Sequence, residues 1–252
     1  MTKVIAIAQH KGGVGKTTSA ANIGAGLAKR GKKVLLIDFD PQANLTTILG
    51  GPLDYENNIY NVLSDKAVMK PVNLSENLDI IPADLDLSGA ELELAGIPGR
   101  EFILKEKLEP VKDQYDLVLI DCPPSLGLLT VNALVAASDI FLPLQSQFLA
   151  MHGLGKLMEV VELVKARLNP HVVISGVFIT MYDSRRTIDK DIADVIKRDF
   201  RELVYETKIR STVALVEAGC QGQSIFDYSP SSNGSEDYLS LTDEIISKVV
   251  EV

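Results

Sequence analysis

A junction near the start of the chain restricts the possible folds more than any other feature. The apolar run Val4-Ile5-Ala6-Ile7-Ala8 passes into His10-Lys11-Gly12-Gly13-Val14-Gly15-Lys16-Thr17-Thr18, where a helical pattern over 17–29 begins at once. A buried strand, a glycine-rich turn and a helix N-terminus in that order make an anion site. The glycines let consecutive backbone N–H groups converge on one point, and the helix dipole adds a favourable field. Lys16 would neutralise the β- and γ-phosphates of a nucleotide, and the Thr17 hydroxyl would ligate magnesium. A glycine turn that only caps a helix would not need a lysine and two threonines in this register.

The rest of the chain fits the same architecture. Apolar runs over 4–8, 34–37, 78–81, 117–120, 140–142 and 172–179 alternate with helical patterns over 17–29, 101–108, 128–136, 153–167, 187–200 and 236–250. Strands separated by helices predict an α/β fold with a mostly parallel sheet covered on both faces, and near-continuous apolar runs are those of strands buried on both sides. At 252 residues, with 46% hydrophobic and 23% charged side chains and no linker or repeat, the whole span 1–252 reads as a single domain. The least regular stretches are 50–77, 82–100 and 219–235.

Two strand ends carry carboxylates. The run 34–37 leads into Asp38-Phe39-Asp40, and the run 117–120 leads into Asp121-Cys122-Pro123-Pro124. Asp121, after four apolar residues, is the expected magnesium-shell carboxylate. Alternation along an extended chain turns Asp38 and Asp40 to one face and Phe39 to the other. His10, His152 and His171 are isolated, and Cys122 reads as a small apolar residue beside Asp121. Cys122 and Cys220 form no metal or disulfide spacing, which fits a reducing cytosol.

The general phosphate-loop pattern GxxxxGK[ST] has His10 in place of its first glycine, whereas the narrower KGGxGKT is met in full. On these residues the chain resembles the deviant Walker A ATPases, the group with the ParA and Soj partition proteins, MinD and the nitrogenase iron protein. The stretches 115–134 (YDLVLIDCPPSLGLLTVNAL) and 176–185 (GVFITMYDSR), with Arg100-Glu101-Phe102 and Gly153-Leu154, resemble the ParA/Soj branch. The resemblance implies a P-loop NTPase fold binding ATP and Mg2+ through Lys11, Gly12, Gly13, Val14, Gly15, Lys16, Thr17 and Thr18. It implies a homodimer that sandwiches two nucleotides, with Lys11 reaching the partner's phosphates, Asp40 positioning the attacking water and Asp38 near the metal. It also implies slow hydrolysis, non-specific binding to nucleoid DNA, and a ParB-like or other cargo adaptor. The segment 217–225 (EAGCQGQSI) departs from the family's EAPSFGKPI, which leaves base contacts around 217–230 open.

A net charge of -9, from 34 acidic and 25 basic residues, argues against DNA contact over the whole surface. The charge is uneven. Residues 1–155 hold 13 basic and 18 acidic side chains, 156–210 hold 11 and 9, and 211–252 hold 1 and 7. Only the middle segment is positive, and Arg185, Arg186, Lys197, Arg198, Arg201 and Arg210 are its candidate phosphate contacts. A solvated helix face balanced by Asp189, Asp191, Asp194 and Asp199 is the competing reading.

The tail 241–252 sets Lys248 against Asp243, Glu244 and Glu251, unlike the basic lipid-docking helix of MinD-like proteins. No run approaches the length of a membrane span, and no helix-turn-helix has room before Lys3. A cytoplasmic, nucleoid-associated protein with no membrane partner is therefore expected. Two rivals stand beside this reading. One is an ATP-dependent dimeric scaffold or regulator that acts on a protein without touching DNA; the other is a small-molecule kinase or ligase, for which no acceptor motif stands out.

Overall fold

The structure, a computed structural model, describes residues 2–146 and 150–250, without the side chains of 150–153, so the His152 side chain and the last residues of the tail lie outside what is described. In chain order the elements are β1 (Lys3–Ile7), α1 (Lys16–Lys29), β2 (Val34–Asp38), α2 (Asn44–Ile48), α3 (Ile59–Leu63), β3 (Val72–Ser75), β4 (Leu78–Ile81), α4 (Leu87–Leu94), α5 (Ile103–Lys112), β5 (Leu117–Asp121), α6 (Leu128–Ala136), β6 (Asp139–Gln145), α7 (Ala150–Arg167), β7 (Val173–Tyr182), α8 (Thr187–Phe200), β8 (Val204–Arg210), α9 (Val213–Cys220), α10 (Ile225–Tyr228) and α11 (Asn233–Ile245). The strands form one sheet in the order β3-β4-β2-β5-β1-β6-β7-β8. Every neighbouring pair is parallel except β3 with β4.

Alternation along the central strands feeds two cores. Val4, Ala6, Leu35, Ile37 and Phe39 turn to one face, where α3 to α8 supply Leu63, Leu104, Leu134, Leu157 and Ile196. Ile5, Ile7, Val34 and Leu36 turn to the other, against Ile23 and Leu27 of α1 and Leu241 of α11. Helix α1 lies close against the sheet because Gly24 has no side chain; a Cβ there would sit 2.7 Å from Leu36 Cδ2.

All the expected strands and helices are present, β4, α6 and α8 with the expected ends and the others with shifted ones. The segment 82–100 contains α4, whose Leu87, Ala90 and Leu94 are buried at helical spacing. Helix α5 runs past residue 108 to Lys112, and the last helix gives way to a π-helical turn over Ile246–Val250. Strand β8 was not foreseen, because VYETKIR is an edge strand with alternating polar residues, not a continuous apolar run. Its outer N–H groups are covered by α11: Glu206 and Thr207 donate to Glu244, and Arg210 donates to Asp237 Oδ2. Because the central strands are parallel, their carboxyl ends bring residues 8–18, 39–46 and 122–127 to one edge of the sheet.

Candidate functional site

The loop after β1 turns on left-handed glycines, with φ +72° at Gly13 and +86° at Gly15, where α1 begins. Nothing lies within 4 Å of where a Cβ would stand on Gly12 or Gly13, so the loop crest is open to an incoming anion. Lys16 is buried at the first turn of α1, while Thr17 and Thr18 are half-buried. Burial pulls the Lys16 ammonium below its usual range, against the opposing pull of Asp121, Cys122 and Asp40. His10 Nδ1 donates to the Pro124 carbonyl at 3.0 Å and so ties the phosphate loop to the segment after β5.

Asp38 and Asp121 are register partners on β2 and β5, and Ile7 of β1 pairs with Asp121 from the other side. Both carboxylates leave the sheet on the face of α1. Asp121 is completely buried and neither of its oxygens has a hydrogen-bond partner of sound geometry. Burial, and then the Asp38 charge, hold it well above the usual carboxylate range, with Thr17 and Lys16 pulling the other way. A buried carboxylate without partners is costly. Between Lys16 and Thr17, and beside a second acid, it is a donor waiting for a cation.

Asp38, beside Asp121, is tied to the segment that follows it. Its Oδ2 accepts the Thr46 N–H at 2.8 Å and the Thr46 hydroxyl at 2.7 Å, and its Oδ1 accepts the Asp40 N–H at 3.3 Å. Burial raises its pKa to about 6 against those bonds. Through these bonds Asp38 organises the segment 40–46 from beside Asp121. Asp40 is buried, and its Oδ1 accepts the Gln42 N–H at 3.0 Å. Phe39 turns into the first core, as alternation requires. Cys122 is buried there too, and Cys220 is exposed.

A cavity of about 150 Å3 opens beside the loop, lined by Gly15, Thr18, Met181, Arg210, Thr212 and Val216 among others. The sequence leaves base contacts around 217–230 open. The cavity wall comes from the ends of β7 and β8 and the first turn of α9, and a second cavity of about 370 Å3 against α1 is lined by Thr18, Asn22, Ala218, Gly219 and Gln223. Met181, in the stretch GVFITMYDSR, holds a left-handed φ of 53° in a non-glycine residue.

The basic candidates are strung along α8. Arg185 and Arg186 precede its N-terminus, Lys197 and Arg198 lie in its last turn and Arg201 follows it, on a helix of 14 residues, about 21 Å long. Arg185 and Arg186 face Asp183, Lys197 pairs with Glu206 at 2.7 Å and Arg198 with Asp199 at 3.0 Å. Arg210 differs from the rest, because its guanidinium is clamped by Asp237 at 2.6 Å and Glu236 at 2.7 Å. It secures β8 to α11 and does not join the exposed set. Among the described residues no helix is long and apolar enough to cross a membrane.

Comparison with known proteins agrees with this geometry. Residues 2–174 match the family model described as an AAA domain. The sporulation initiation inhibitor protein Soj of Bacillus subtilis is 46% identical over 97% of this chain and 98% of its own length. The chromosome partitioning protein ParA of Caulobacter vibrioides is 44% identical over 98% of this chain and 94% of its own. A cobyrinic acid a,c-diamide synthase from Mycobacterium smegmatis, solved with ADP and magnesium, superimposes with a TM-score of 0.84 at 37% identity, covering 98% of this chain and 94% of that one. With a mostly parallel sheet, a phosphate loop after its central strand and full-length similarity of this order, the chain belongs to the Soj/ParA family of chromosome-partitioning ATPases and has the P-loop NTPase fold.

Proposed function

We propose that this chain is a magnesium-dependent ATPase whose ATP-bound homodimer binds DNA without sequence preference and moves a chromosome, plasmid or protein cargo. The observation that carries the reading is Asp121: fully buried, with no hydrogen bond of sound geometry to either oxygen, and beside Lys16 and Thr17 at an open phosphate loop. Thr17 and Asp121 are the residues that would hold magnesium. Bound there, the ion would neutralise charge on the β- and γ-phosphates.

The N–H groups of 12–18 bind the phosphates, and Lys16 neutralises them from within the loop. Lys11 reaches the nucleotide of the second protomer. Asp40 orients the attacking water, with its backbone fixed by Asp38. The crevice beside Met181 and Thr212 takes the base. Hydrolysis is slow, so the nucleotide state outlasts transport, and a ParB-like or other adaptor accelerates it. The protein is cytoplasmic and nucleoid-associated while ATP is bound. The two curated relatives, more similar than the synthase, favour partition over small-molecule chemistry.

Arg185, Arg186, Lys197, Arg198 and Arg201 are the proposed DNA contacts. Their exposed ion pairs are worth little and exchange readily for phosphate. A second reading, a nucleotide-dependent scaffold that never touches DNA, is favoured by those same acidic neighbours and by Asp191 and Asp194, which are exposed on α8. A gel shift with ATP, ADP or neither, repeated across a salt series, decides between the two. Binding with ATP alone, weakening steeply with salt, supports the DNA carrier. Equal binding in all three states, or none at low salt, leaves the scaffold.

A further inference from the structure

The phosphate loop is also held from the ends of β6 and β7. Gln145, the last residue of β6, and Thr180 of β7 are direct register partners. Each reaches a different part of the loop. The Thr180 hydroxyl, buried, donates to the Val14 carbonyl at 2.8 Å, and its methyl carbon lies 3.7 Å from where a Cβ on Gly15 would stand. Gln145 accepts a long hydrogen bond from Lys11 Nζ at 3.4 Å through Oε1, while its Nε2 donates to the Met181 sulfur at 3.1 Å.

We infer that Gln145 and Thr180 are positioning residues with separate tasks: Thr180 sets the loop crest for phosphate binding, and Gln145 restrains Lys11 within its own protomer before the dimer forms. The physical case for Thr180 is directional. A phosphate loop works only if its N–H groups point at the anion, so its carbonyls must point elsewhere and find donors there. Val14 lies between the left-handed Gly13 and Gly15, where the backbone reverses most sharply, and the Thr180 hydroxyl is the donor that receives its carbonyl. Without that hydroxyl, the Val14 carbonyl loses a partner in a buried position and the crest is free to tilt.

The case for Gln145 follows from the division of its amide. Because Nε2 is engaged by Met181, the oxygen is the end left facing Lys11, and the side chain cannot offer its donor end without breaking the sulfur contact. The contact from Lys11 to Gln145 is to a neutral oxygen, which the charged phosphate of a second protomer would displace. This half of the inference rests on the nucleotide-sandwich dimer proposed above; the Thr180 half does not.

Four variants test both halves. Binding of a fluorescent ATP analogue with magnesium is measured at protein concentrations too low for dimers. Thr180→Val, which keeps volume and removes the hydroxyl, should weaken binding about fivefold, and Thr180→Ser should stay within about twofold of the unchanged chain. Unchanged affinity for Thr180→Val, or Thr180→Ser no better than Thr180→Val, overturns this half even if both melt lower. The ATP concentration giving half-maximal dimer is then read by light scattering. Gln145→Leu should lower it about threefold, and Gln145→Glu, which grips Lys11 with a charge, should raise it by a similar factor. Shifts in the same direction, or no shift, overturn the restraint. An unchanged chain that forms no dimer with ATP removes the sandwich and the restraint together, while the Thr180 result still stands.

Discussion

The Asp38 carboxylate accepts both the N–H and the hydroxyl of Thr46, and the same hydroxyl accepts the Ala83 N–H at 3.1 Å. One threonine thus joins the end of β2, the start of α2 and the segment after β4. Asp38 in turn holds the Asp40 N–H, so the residue proposed to orient water is placed by this network. Thr46→Val should remove a buried donor to a carboxylate at a cost of about 1–3 kcal/mol in unfolding free energy. ATP hydrolysis should fall more than ATP affinity, and urea denaturation with steady-state kinetics checks both.

Asp40→Ala should bind ATP nearly as well as the unchanged protein and hydrolyse it on the order of a hundredfold more slowly, since it removes the group that positions water. The dimer should then persist after ATP addition instead of decaying, as size-exclusion with light scattering would reveal. Normal turnover would reassign Asp40.

Lys16→Ala should act at the earlier step. It empties a buried position that faces Asp121 and Asp40, and the phosphate charge goes unneutralised. ATP affinity should fall by roughly a hundredfold or more, the scale of a lost charge-assisted contact, and nucleotide-dependent dimerisation should vanish. Titration calorimetry with magnesium-ATP reads the first effect directly.

Arg210 and its basic neighbours should separate cleanly. Arg186→Ala and Arg201→Ala should each reduce the salt dependence of DNA binding, by about one unit in the log–log slope. Arg210→Ala should leave that slope unchanged while lowering stability by about 1–3 kcal/mol, because its guanidinium is already bound to Asp237 and Glu236. A loss of slope in Arg210→Ala would return it to the DNA face.

Gly176 offers a test of packing with no contact to the loop. A Cβ there would lie 2.5 Å from Tyr205 Cε2 and 2.9 Å from Phe141 Cδ1. Gly176→Ala should therefore cost about 1–3 kcal/mol and lower the melting temperature by roughly 3–10 °C, with ATP affinity unchanged.

Local pattern alone was sufficient for the sheet and the loop. The β1 run, the glycines at 12, 13 and 15, Lys16, and the two aspartates after apolar strands are short-range signals, each read within ten residues of chain. Strand β8 and helix α4 escaped for a local reason as well: one alternates as an edge strand, and the other is too short for a clear period. The roles of individual carboxylates and arginines could not be read that way. Asp38 and Asp121 are both strand-end acids, but Thr46 holds Oδ2 of Asp38 and the Asp40 N–H its Oδ1, while neither oxygen of Asp121 has a hydrogen bond of sound geometry. Arg210 resembles Arg201 until α11 brings Asp237 across to it from 27 residues away. A side chain's residue type states which bonds it can make, whereas long-range packing decides which of them are already made, and only what is left over can meet a nucleotide or a phosphate backbone.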